Sequence, residues 1–133
     1  MEPTNVLPIV AVLSLVTVEF GGRALLTFLT GRERLSDWQR GFFRAGHAHA
    51  GVLLVLALVY LLYLPRADFS NGLEWVAGGV LLAGVLAQSS GFFLHMGVGR
   101  PDRPSAGTRL TQTGALLIAA ALITLAVGLI QTA

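Results

Sequence analysis

Apolar residues fill four long stretches of the chain, separated by three short polar breaks. The stretches cover about residues 6–29, 45–64, 73–96 and 108–131, each at or above the ~20 residues needed to cross ~30 Å of hydrocarbon at ~1.5 Å per residue, and a cap at Ser36 would extend the second helix to about 36–64. Lipid offers no partner for a free backbone N–H or C=O, so each stretch must satisfy its own hydrogen bonds as a helix. The pattern predicts an all-α, polytopic membrane four-helix bundle, with 1–133 as a single transmembrane domain. The breaks carry the chemistry of stops. Thr30-Gly31 precedes the charged run Arg32-Glu33-Arg34, Pro65 ends the second stretch, and Asn71-Gly72 reads as a turn. Gly97, Gly99, Pro101, Pro104 and Gly107 make the third break irregular. Ser36-Asp37-Trp38-Gln39 fits a capping box, which starts the second helix inside its loop.

Composition sharpens the class. Of 133 residues, 54% are hydrophobic and 12% charged, against about 25% charged in a soluble domain. That excludes a soluble globular protein, a disordered chain and a disulfide-stapled module. The net charge of +2 is all arginine against acid, with no lysine and no cysteine. Nucleic-acid binding, thiol chemistry and Schiff-base chemistry are therefore not expected. The lipid bilayer is the expected environment, in a plasma membrane of bacterial type. The first stretch is too long for a cleaved signal, and Met1 to Asn5 carries Glu2 and no cation.

Arginines set the expected orientation. Arg32, Arg34, Arg40 and Arg44 lie at the first break, and Arg100, Arg103 and Arg109 at the third. Only Arg66 lies at the second. Positively charged loops stay in the cytoplasm, so both termini are expected outside. Trp38, Phe42 and Phe43 would then line the inner interface, and Tyr60, Tyr63 and Trp75 the outer one.

Polar residues inside spans are costly and point to function. Counted from the outer ends at ~1.5 Å per residue, Glu19, Arg23, His47, His49, Gln88 and His95 all fall in the cytoplasmic half. Glu19 and Arg23 are spaced for an ion pair along helix one. His47 and His49 project about 200° apart on one helix, so they cannot both chelate one ion. Gly84, Gln88, Gly91 and His95 line one stripe of helix three. The row Gly79, Ala83, Ala87 and Gly91 suits close helix approach and homo-oligomer assembly.

The string Gly46-His47-Ala48-His49-Ala50-Gly51, opening a membrane helix before Val52-Leu53-Leu54, resembles a motif of the haem-copper oxidase superfamily. There a His-x-His opens a helix and one histidine ligates haem iron. The resemblance implies a haem ligand at His47 or His49, and less directly at His95. It also implies a four-helix chain standing as one arc of a trimer. No tyrosine adjoins a histidine here, and three histidines are too few for haem plus copper, so oxygen reduction is not implied. In its four short helices and the glutamate of helix one, the chain is also similar to small multidrug transporters. That likeness implies a proton or cation site at Glu19.

The leading expectation is haem b, or otherwise a transition metal, bound by His47 and His95 near the cytoplasmic leaflet. Gly51 and Gly91 would clear space for the ring, His49 would support or bridge subunits, and Arg23 would meet a propionate. The resulting role would be electron transfer, haem handling or gas sensing. A small transporter using Glu19, His49 and Gln88, or a structural accessory subunit of a membrane complex, stands as the alternative.

Overall fold

The computed structural model describes residues 1–31 and 35–133. The run Arg32-Glu33-Arg34, with its two arginines of the orientation argument, lies outside the described residues. Four helices form where the apolar stretches predict them: α1 (Pro3–Thr30), α2 (Asp37–Tyr63), α3 (Asn71–Val98) and α4 (Ala106–Gln131). Each is long and apolar enough to cross a membrane. The protein is an all-α four-helix bundle, and its spans imply contact with a lipid bilayer.

The helix ends follow local chemistry. Ser36 caps α2 by accepting the Gln39 N–H, and Gln39 returns the bond to the Ser36 backbone, completing the expected capping box. Pro65 falls in a 3-10 turn, Leu64–Ala67, directly after α2. The chain then reverses at Asp68, whose φ of 51° is left-handed. Asn71-Gly72 is not that turn. Ser70 accepts the Leu73 N–H, so Asn71 and Gly72 form the first turn of α3. Asp68 tolerates the left-handed region almost as asparagine does, which frees Asn71-Gly72 for the helix.

Packing is uneven. α3 lies most extensively against α4, then against α2, while α1 leans on α2 and touches α3 only lightly. The α3–α4 seam is made of glycine. A Cβ on Gly84 would lie 3.0 Å from the Gly114 carbonyl, and one on Gly114 would lie 2.7 Å from the Gly84 carbonyl. Gly91 and Gly107 repeat the arrangement two turns on, at 2.6 and 2.5 Å. Small residues let the backbones close, which is how helices gain dispersion contact where the surrounding lipid is as apolar as leucine. Tyr60 is 2% exposed and donates its hydroxyl to the Ala121 carbonyl at 3.2 Å. It ties α2 to α4 in the core and is no member of an interfacial belt.

Both chain ends lie at one end of the bundle. Glu2 hydrogen-bonds Asn71 at the start of α3, and Thr132 donates to the Arg66 carbonyl at 3.0 Å. The three histidines sit toward the opposite end, in the first half of α2 and the last turn of α3.

Candidate functional site

The histidine end is built of rings. Trp38, Phe42 and Phe43 rise from the first turns of α2, and Phe92 and Phe93 face them from α3. Phe42 lies 4.4 Å from the His95 ring, Phe92 lies 6.2 Å from Phe42, and His49 lies 4.7 Å from Phe92. Phe28 of α1 joins through Phe43 at 5.5 Å, and Phe43 meets Phe93 edge-on at 5.4 Å. Phe28, Phe92 and Phe93 carried no weight in the sequence pattern. A phenylalanine pair in an apolar helix reads as generic lipid-facing bulk until a partner helix is placed beside it.

The three imidazoles have three environments. His95 is 5% exposed; its Nδ1 is hydrogen-bonded to Ser105 Oγ at 2.7 Å and lies 3.3 Å from Thr108 Oγ1. Its ring fastens the end of α3 to the cap of α4, covered by Phe42 and Trp38. His47 is half-buried on the α1 side of α2, where a Cβ on Gly21 would lie 3.0 Å from its Nδ1. The Gly21-Gly22 pair is what admits the ring. His47 also borders a cavity of about 380 Å³ with Val18, Gly51 and Val55.

His49 turns the other way, toward α3. Its Nδ1–H donates to the Ala45 carbonyl one turn back, at 2.8 Å. A carbonyl can only accept, so this bond fixes the tautomer and leaves the Nε2 lone pair available. The ring lines a cavity of about 330 Å³ with Ala48, Val52, Leu53 and Gln88. A second cavity of about 350 Å³ is lined by Trp38, Gly41, Phe42, Ala45 and Phe92. Gly41, Ala45, Ala48 and Val52 recur on one face of α2, and Gln88 and Phe92 are one turn apart on α3, so both cavities open along one groove.

No family model matches the chain, nor does any curated protein or solved structure.

The expected partners are thus partly brought together. His49 and Gln88 line one cavity. His47 and His95 meet different helices: the first lies on glycines of α1, the second on the cap of α4. Gly91, expected to clear room for a planar ring beside His95, is filled by Thr111 and Gly107 of α4. Gly51 does border open space, in the His47 cavity. Glu19 and Arg23 are both exposed on α1 and form no ion pair; among the described residues the one salt bridge is Arg40–Asp37, at 3.8 Å. Neither lines the His49 cavity. The row on helix three divides, with Gly91 buried against α4 and Ala83 exposed. Ser89 is the other notable polar residue. It is 7% exposed, its hydroxyl has no partner among the described residues, and it borders a cavity of about 240 Å³ with Ser14 and Thr17.

Proposed function

We propose that the chain is an integral membrane haem-binding protein, with His49 as the residue that would hold the iron in the groove between α2 and α3. The observation that carries this reading is the His49 ring, held by its Nδ1–H on the Ala45 carbonyl while it lines a cavity with Gln88. Metal-ligating imidazoles are oriented by this kind of bond, which also raises their basicity. The groove's chemistry suits a flat apolar macrocycle. Gly41, Ala45 and Ala48 offer a low surface on α2, and Trp38, Phe42 and Phe92 offer aromatic faces.

Haem is favoured over a bare ion by ligand count. Among the described residues no three His, Cys, Asp or Glu side chains come together. A structural or catalytic zinc needs at least three, whereas haem iron, already held by its macrocycle, needs one imidazole. With one protein ligand, haem would supply a site for a small gas, and gas sensing or haem handling fits better than electron transfer between paired imidazoles. Arg44, exposed one turn before Ala48, takes the propionate role expected of Arg23. The arginine distribution supports termini outside and the groove in the cytoplasmic half of the membrane.

The test is the absorption of protein purified from haem-replete cells, compared across single variants. His49→Ala is expected to remove the Soret band. His47→Ala is expected to keep it, and His95→Ala to keep it in a less stable protein. Bleaching by His47→Ala with retention in His49→Ala would move the site to the α1 side of α2. A colourless wild-type protein would end the haem reading.

A further inference from the structure

α1 carries the least covered surface of the molecule: 6% of its membrane-spanning window is buried, against 44% for α3. Along its bare side, Val12, Val16, Glu19, Arg23 and Leu26 recur at steps of four, three, four and three, and all five are exposed. That is the spacing of a left-handed helix pair. Two of the five are charged, and their positions in the membrane decide what they need. With the 28-residue helix centred in the bilayer, Glu19 lies about 4 Å from the midplane and about 11 Å from the nearest edge of the hydrocarbon. A glutamate side chain is too short to reach water from there. Arg23 lies about 5 Å from the same edge, within reach of a snorkelling side chain. Among the described residues Glu19 therefore has no partner within its own chain, and with the helix so centred it has no water, a position that charged groups in membranes rarely hold.

We infer that this face of α1 binds a second copy of the chain, with Glu19 of each copy paired to Arg23 of the other. A two-fold axis along the membrane normal sets two α1 helices parallel, with Glu19 beside Glu19 and Arg23 beside Arg23 at like depth, so the face is complementary to itself between adjacent layers. Glu19 of each copy is then one layer from Arg23 of the other. Both pairs form together, and no charge is left over. The apolar members Val12, Val16 and Leu26 fill the layers on either side. The groove proposed for haem lies on α2 and α3, so the two readings stand or fall separately.

The decisive experiment co-expresses two differently tagged chains, one Glu19→Arg and one Arg23→Glu. Each variant alone makes all four charges of the cluster alike and is expected to lose most of its self-association. The mixed pair restores opposite charges and is expected to co-purify as wild-type chains do. Pairing within one helix gives no such rescue, so a mixed pair no better than either variant alone would overturn the inference. So would a wild-type mass of one chain in mild detergent. Because the chain has no cysteine, Val16→Cys in otherwise unaltered protein gives a check free of charge changes. It is expected to form a disulfide dimer in membranes, while Leu116→Cys, exposed at similar depth on α4, is not. Equal crosslinking at both positions would contradict a specific α1 interface.

Discussion

His95 and His49 show how one residue type divides its labour. His95 spends its Nδ1 on the α4 cap and its faces on Phe42 and Trp38. Replacing it by alanine removes a buried hydrogen bond and leaves a cavity, a cost of about 2–4 kcal/mol. Thermal unfolding in detergent should show His95→Ala melting well below wild type, and His49→Ala close to it. Equal melting of the two would mean that His95 is not the structural histidine. The sequence pattern ranks the two the other way, because His95 shares a stripe with Gly84 and Gly91 that looks like room for a ligand. The stripe is real, but α4 fills it. Spacing along one helix names a face and cannot name the helix that will cover it. Tyr60 is a parallel case: its place near the end of a span suggests a belt, and only the Ala121 carbonyl on α4 reveals the core contact.

At the scale of elements, the hydropathy pattern locates α1, α3, α4 and the end of α2 to within a few residues, because span length and backbone satisfaction leave lipid-crossing segments little freedom; the start of α2 is legible only through its cap. The Ser36 capping box was legible for a similar reason: its donors and acceptors lie within four consecutive residues. The start of α3 was not, since the choice between Asn71-Gly72 and Asp68 as the reversal depends on which backbone takes the left-handed conformation. The α3–α4 seam makes a firm prediction. Gly114→Leu would drive a side chain into the backbone at Gln88 and Gly84 and force the helices apart, at a cost of about 1–3 kcal/mol or more. Gly72→Leu, in open space at the start of α3, should be nearly neutral. Proteolysis of the α3–α4 connector separates the outcomes: faster cleavage is expected in Gly114→Leu alone. Unchanged cleavage would mean that the seam tolerates a wider spacing.

For the whole molecule, four spans put both termini on one side, in keeping with the contacts of Glu2 with Asn71 and Thr132 with Arg66. The arginine count predicts which side. Reporter fusions after Pro65 and after Ala133 should both read as external, and an internal signal from either would reverse the leaflet assigned to the histidines. The polar layer seen along the chain is spread over three surfaces of the bundle. Glu19 and Arg23 are on the bare face of α1, His47 is between α1 and α2, and His49 with Gln88 is in the α2–α3 groove. A count of depth could find the layer but not divide it, because depth is read along each helix and direction is set by the neighbours.

Haem held in the α2–α3 groove through one imidazole, as proposed, is open to a direct test: the absorption spectrum of the reduced, detergent-purified protein with and without carbon monoxide. One protein ligand would leave a coordination position open, so a Soret band that shifts on adding the gas is expected. A six-coordinate spectrum indifferent to carbon monoxide would point to two protein ligands, and no Soret band at all would rule out haem in the groove.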